Sequence, residues 1–211
     1  MRNLILALAG MAVSGLAVAG PNWTYADIGY NRADSGDEET DGFQLQGSFG
    51  FADKYHVQAT YFDGEVGGNG GANSNPDYDG YRISLGINPA VTDNTDFVFQ
   101  IGYFDLEEDD SDVDGDDSVD GYELRVGLRS MLTDNVEIFG YVNTAIGEAD
   151  CDNGGACNIL GVVAADGDDF TEISAIVGGQ YLFTDNIGLS LQYEQDGLFG
   201  DNATFGARWS F

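Results

Sequence analysis

Candidates for chemistry are few in this 211-residue chain: one histidine, two cysteines and one alternating acidic motif. His56 is the only imidazole available as a general base. The nearest hydroxyl on its face of an extended segment is Thr60, four residues on, roughly 13 Å away at strand rise and beyond the reach a nucleophile and its base require. His56 therefore reads as a hydrogen-bonded interior residue. No Ser-His-Asp spacing, phosphate-cradling glycine loop or zinc ligand set accompanies it, so the chain reads as a non-enzyme with no catalytic, cofactor-binding or metal residue to assign. Asp110-Ser111-Asp112-Val113-Asp114-Gly115 matches the first half of a calcium loop, with alternate carboxylates and a glycine for the sharp turn. Position twelve is Gly121, where a bidentate Glu is needed, and Asp117 stands where an apolar residue usually anchors the loop. A solvated acidic loop is the expectation and calcium the alternative. Cys151 and Cys157 read as a small disulfide loop rather than a redox or metal pair, provided the chain is exported.

Export follows from the first nineteen residues. Met1-Arg2-Asn3 is a short basic start, 4–18 is almost wholly apolar, and Ala17-Val18-Ala19 supplies small residues for cleavage. Residues 1–19 thus read as a signal peptide, and 20–211 as the exported domain. The competing reading, a membrane anchor, needs a longer apolar run.

The whole chain carries a formal net charge of -30 with 31 glycines, which alone would suggest an acidic disordered chain, yet aromatics make up 12%. Position resolves the conflict. Acids concentrate in stretches such as 34–41 and 107–120, and the segments between them alternate strictly. Phe43, Leu45, Phe49 and Phe51 oppose Gln44, Gln46 and Ser48; Tyr122, Leu124, Val126 and Leu128 oppose Glu123, Arg125 and Arg129. That is the period of a strand. Thr-Asp-Asn recurs at 92–94, 133–135 and 184–186, each time between two such segments, and reads as a hairpin turn whose Asn takes the left-handed conformation. Ala52-Asp53-Lys54 is a degenerate fourth copy.

Alternation alone fits a soluble sandwich or a membrane barrel. The apolar face carries aromatics at its two ends, with Tyr30, Tyr61, Tyr81, Tyr103, Tyr122 and Tyr193 near the loops, and Phe51, Tyr55, Phe97, Phe183, Trp209 and Phe211 near the turns. Two aromatic girdles mark a transmembrane barrel. Four short turns and five long acidic loops, at 32–41, 64–79, 107–120, 147–169 and 195–201, connect ten strands. The expected strands are 22–31, 42–51, 55–63, 80–88, 95–106, 121–131, 136–146, 170–183, 187–194 and 202–211. The fold class is accordingly all-β, a ten-stranded antiparallel up-and-down transmembrane β-barrel. Eight strands are the alternative, with 136–146 and 187–194 as the segments to be lost.

The leader, the alternation and the C-terminal run Phe205-Gly206-Ala207-Arg208-Trp209-Ser210-Phe211 together resemble bacterial outer-membrane β-barrel proteins. The resemblance implies an outer-membrane location with both termini periplasmic, lipids as the surrounding partner, and recognition of Phe211 by the barrel assembly machinery. Tyr25-Ala26-Asp27-Ile28-Gly29-Tyr30 and the repeated tripeptide resemble the quorum-signal-responsive barrels of gammaproteobacteria, within the wider OmpA-like porin superfamily.

Inward positions include Tyr25, Phe62, Phe104, Phe139, Tyr141, Ile176 and Leu182, with Asp27, Glu123, Glu137, Glu172, Glu194, Arg82, Arg125, Arg129 and Arg208. Ten strands enclose little space, and unpaired ions inside it would be costly. Asp27 with Arg208, and Glu137 with Arg129, are the expected pairs. The function read from this is a mostly plugged outer-membrane barrel, monomeric, with a structural or surface-interaction role carried by the acidic loops. A narrow diffusion channel is the alternative. Nucleic acid is excluded as a partner by the charge. Ile159-Leu160-Gly161-Val162-Val163-Ala164-Ala165 reads as a hairpin extension above the barrel, or as an exposed patch for a partner.

Overall fold

A computed structural model describes residues 20–34, 38–68, 77–109, 116–151, 156–159, 162–198 and 200–211. The segment expected to be a signal peptide, 1–19, and the calcium-like half-loop, 110–115, lie outside these residues.

Alternating residues put one side chain of each pair inward and one outward, and ten long strands use that rule to close a barrel. They are β1 (Tyr25–Asp34), β2 (Glu38–Phe51), β3 (Tyr55–Gly68), β4 (Asp77–Ile87), β6 (Thr95–Asp109), β7 (Asp116–Thr133), β8 (Val136–Asp150), β11 (Asp169–Leu182), β12 (Ile187–Gly197) and β13 (Gly200–Ser210). Each pairs antiparallel with its neighbours, β4 pairs with β6, and β1 pairs with β13 over ten residues, so no edge is left open. A three-residue strand, β5 (Ala90–Thr92), lies in one turn. The hairpin expected over 159–165 is present as β9 (Ala156–Ile159) and β10 (Val162–Ala165), a separate two-stranded sheet. The eight-strand alternative fails, because β8 and β12 are continuous strands bonded on both sides.

The strands run further than expected. β6 reaches Asp109 and β7 begins at Asp116, inside the stretch read as loop, and β3 and β4 likewise extend to Gly68 and from Asp77. Acid density misleads here, because the alternation persists through it. Leu106 and Val119 point inward and are buried while Asp105, Glu107 and Asp120 line the other face. The exterior below them is apolar, with Ile28, Leu45, Ile83, Ile101, Leu124, Ile173 and Leu191 exposed, and Trp209 58% exposed at the turn end. At the loop end the tyrosine hydroxyls donate to a ring of carboxylates, Tyr81 to Asp105 at 3.2 Å, Tyr103 to Asp120 at 3.2 Å and Tyr193 to Asp201 at 2.9 Å. Each ring thus presents an apolar body on the barrel exterior and a hydrogen-bonded polar tip toward the loops.

The Thr-Asp-Asn turns form, but not through left-handed asparagines. Among the described residues the non-glycine positions with positive φ are Ala52, Asp53 and Asp196, so the left-handed backbone belongs to the degenerate copy. In the other copies the threonine hydroxyl does the turning. Thr133 Oγ1 accepts from Val136 N at 3.1 Å, and Thr184 Oγ1 from Ile187 N at 3.0 Å. The asparagines reach sideways instead. Asn94 Nδ2 donates to Met131 O and Asn94 O accepts from Met131 N; Asn135 does the same to Leu182, and Asn186 to Ser210. Met131 and Leu182 each stand two residues before the next copy, so every turn grips the stem of the following one. Phe211 completes the rim, its N donating to Thr24 O at 3.0 Å and its O accepting from Asn22 Nδ2 at 3.1 Å.

A side-chain hydrogen bond of this kind is worth about 1 kcal/mol net. Asn135→Ala and Asn186→Ala should each lower the unfolding free energy by that amount, read as a lower urea midpoint, and Asn186→Asp should cost more, because its carboxylate would face the Ser210 carbonyl. Equal stability of the aspartate variant and wild type would refute the latch.

Candidate functional site: the barrel lumen

Four of the six lysines and arginines after residue 19 point into the lumen. Each is placed by strand parity and met by an acid, from another strand for Arg82, Arg129 and Arg208 and from its own strand, β7, for Arg125. Asp27 of β1 and Arg208 of β13 are direct cross-strand partners, and Arg208 Nε donates to Asp27 Oδ2 at 3.0 Å. Arg129 of β7 makes a bidentate pair with Glu137 of β8, Nε to Oε1 at 2.7 Å and Nη2 to Oε2 at 2.9 Å. Arg208 Nη1 stands 3.9 Å from the same Glu137 oxygen, which joins the two pairs into one network. Both expected pairs are thus present, and both are buried. A second group lies across the barrel, where Glu123 Oε2 is 3.1 Å from Arg82 Nε and 3.7 Å from Arg125 Nη2. The nearer contact is an ion pair without hydrogen-bond alignment. Aromatic faces back the cations, with Arg208 3.9 Å from the Tyr25 ring and Arg129 4.5 Å from Trp23.

His56 sits at the turn end of β3, fully buried. Its Nδ1 is 2.9 Å from Asn88 Oδ1 and its Nε2 is 2.9 Å from Gln100 Nε2. Thr60 is engaged elsewhere, accepting from Gln46 Nε2 at 3.1 Å. No nucleophile is brought to the imidazole.

Three features of the site escape a reading by alternation. The first is Trp23, which precedes β1 and folds under the lumen, its Nε1 donating to Asp96 Oδ2 at 2.7 Å. Asp96 shares parity with Val98 and Gln100, so its inward position was available; that of Trp23 was not. The second is an apolar core at the loop end, built from Ala33, Phe62, Val66, Tyr78, Phe104, Leu106, Val119, Ala145, Ala149 and Leu198, with Phe170 against it. Burial pushes the Tyr78 phenol up to about 12. The third is the purpose of the inward glycines. A Cβ at Gly64 would strike Tyr78, at Gly127 Tyr141, at Gly178 Phe139 and at Gly86 His56. Small residues on one strand make room for a ring from the next, which is how narrow barrels fill their interior.

Trp23, Tyr25, Gln58, Gln100, Arg125 and Tyr141 line a void of about 30 Å³. That is the volume of about one water molecule. A larger recess, about 510 Å³, opens at the turn end beside Gly20, Asn22, Asp134 and Asp185. Among the described residues no group of three or more carboxylate, imidazole or thiol side chains could hold a metal ion. The calcium motif falls outside them, and its twelfth position, Gly121, is buried within β7.

No protein-family model and no curated protein matches the chain. Solved barrels resemble it at low identity. The NanC porin is 11% identical, covering 88% of this chain and 98% of that one, with a TM-score of 0.46. The translocator domain of autotransporter NalP from Neisseria meningitidis is 12% identical over 100% of this chain and 94% of that one, TM-score 0.45. Ail, the attachment invasion locus protein of Yersinia pestis, is 14% identical over 92% and 100%, TM-score 0.39. Likeness at this level says nothing of what this chain binds or does.

Proposed function

We propose that this chain is an integral outer-membrane barrel with a shut lumen, whose working surface is the acidic loop end and whose role is structural or surface-interacting. The observation that carries the reading is the filled interior: ion-paired below, apolar above, with about 30 Å³ of void between Trp23 and Tyr141. A hydrated solute needs a continuous wet path, and side chains occupy it. The membrane assignment is supported by a closed barrel whose exposed exterior is aliphatic and aromatic, since only helices and closed barrels satisfy every backbone group in lipid. In this reading the turns and both chain ends face the periplasm, and the assembly machinery reads Phe211 before Asn22 and Thr24 capture it. Surrounding lipid is the constant partner, and the barrel works as a monomer.

Charge supports the loop end as the working part. With four cations inside the lumen, the exterior keeps Arg32 and Lys54 against nearly all the acids. The loop end is cross-linked in this reading: Cys151 is disulfide-bonded and Cys157 is the only other cysteine. The resemblance to quorum-signal-responsive barrels rests on Tyr25 to Tyr30 and the turn tripeptide, and suits such a role. Catalysis has no place in it, as His56 meets only amides and an indole.

Osmotic swelling of proteoliposomes in small sugars tests the proposal. The expected rate equals that of protein-free vesicles, and swelling that scales with protein content would overturn it. Purified protein should likewise release no fatty acid from phospholipid; turnover abolished by His56→Gln would overturn the non-enzymatic part.

A further inference from the structure

Trp23 is held differently from the barrel wall. It lies outside the strand ladder, and its backbone carbonyl accepts from a side chain, Ser48 Oγ at 2.8 Å. Its indole is 8% exposed and stacks on His56 with ring centroids 4.1 Å apart. The same indole carries the Arg129 guanidinium at 4.5 Å.

The hydrogen bonds around His56 require a neutral ring. Gln100 Nε2 reaches Gln58 Oε1 at 3.0 Å and Ser84 Oγ at 3.4 Å as well as His56 Nε2, which orients that amide as a donor. Nε2 must then accept, and the ring proton sits on Nδ1, donated to Asn88 Oδ1. Turned over, the Asn88 amide donates to His56 Nδ1 and to Lys54 O and accepts from Trp23 Nε1; the ring proton then belongs on Nε2 with the Gln100 amide turned to accept it, and the ring is neutral in either arrangement. The groups facing this pocket are Asn88 from the turn after β4, Gln58 from β3, Gln100 and Asp96 from β6, and Arg125 and Arg129 from β7. Asp96 already receives Trp23 Nε1, and Glu137 of β8 is taken up by Arg129.

A second ring proton would point N–H at an amide N–H and set a third cation beside Arg125 and Arg129, with Asp96, which already receives Trp23 Nε1 and lies near Arg129, as the carboxylate facing the pocket. A buried donor without a partner costs about 1 to 3 kcal/mol, more when charged. The wall cannot yield, because β3 is bonded to β2 and β4 along its length. The segment 20–24 lies outside the ladder and is held by single bonds, Ser48 Oγ to Trp23 O, Gly50 N to Thr24 Oγ1, Phe211 N to Thr24 O and Asn22 Nδ2 to Phe211 O, so it is the part that yields, and the recess of about 510 Å³ lies beside it.

We propose that His56 makes the Trp23 plug acid-labile: protonation of its ring expels the 20–24 segment from the lumen floor and opens the turn-end mouth while the barrel stays folded. The device concerns the lower half of the lumen alone. The apolar core at the loop end contains no group that titrates near neutrality.

The chain has two tryptophans, so Trp209→Phe leaves Trp23 as the only indole. In vesicles, its emission and its quenching by acrylamide are followed from about pH 8 to about pH 5, the range in which imidazoles ionise. Far-UV circular dichroism is recorded alongside. The expected result is a reversible red shift with a several-fold rise in quenching on acidification, unchanged dichroism, and a flat profile when His56→Gln or His56→Phe is added. A flat profile in the parent, the same transition without His56, or loss of dichroism in step with the shift would each overturn the proposal. None of these outcomes depends on whether the barrel conducts.

Discussion

Glu137→Gln is expected to be among the most destabilising single substitutions in this barrel, lowering its unfolding free energy by about 3 to 5 kcal/mol. The Arg129 guanidinium it pairs with is almost wholly buried and cannot shed its proton. In the variant that charge keeps the faces of Trp23 and Tyr25 and the more distant Asp96 carboxylate, with no carboxylate in direct contact, because Asp27 is committed to Arg208. Arg208 also loses a carboxylate 3.9 Å away. The loss measures an orphaned charge more than the worth of the pair. Arg129→Met with Glu137→Leu should therefore recover most of it and fall within about 2 kcal/mol of wild type, since buried ion pairs often exchange for apolar residues of similar volume without penalty. Urea titration in lipid vesicles, read by the folded band on unheated gels, checks both. A cost for Glu137→Gln below about 1 kcal/mol would mean that water reaches the network.

Phe104→Ala should cost a similar amount, about 3 to 5 kcal/mol, by a different route. Its ring is 0% exposed at the centre of the loop-end core, 6.3 Å from that of Phe170. Removing it leaves a cavity lined by buried Phe62, Leu106 and Val119, which rigid cross-strand ladders cannot close. Phe104→Leu should recover about half. If the interior is instead a wet passage, Phe104→Ala replaces a ring already in contact with water and costs less than about 1 kcal/mol. The two variants address different halves of the lumen, so their effects should add.

Much of this arrangement is legible without coordinates. Period-two alternation alone places Asp27 opposite Arg208 and Glu137 beside Arg129, because the turns fix where each strand begins. The ten-strand count survives for the same reason. What stays hidden depends on composition rather than period. Val66, Leu106, Val119 and Ala149 occupy inward positions inside acidic stretches, so a reading that equates acid with loop discards the residues that cap the lumen. Trp23 obeys no strand pattern, and only the folded chain shows it beneath His56. The asparagines of the repeat suit a left-handed turn and equally suit a sideways grip; local sequence cannot separate these, because the choice is made by Met131, Leu182 and Ser210, which are distant in the chain and adjacent in the barrel.

The proposed shut lumen and acidic rim would divide the molecule into a scaffold and a surface. Thr133 and Thr184 turn the chain, the asparagines tie turn to turn, and paired charges with rings on glycines close the interior. None of these features faces outward. What does face outward at the loop end is a row of tyrosines donating to carboxylates, with the β9–β10 hairpin above them.

Single-channel recording across a planar lipid bilayer tests the shut lumen most directly. Refolded protein at neutral pH, inserted at known density, should give no reproducible current steps in either polarity. Uniform steps whose size rises with salt concentration would contradict the account and restore the narrow channel.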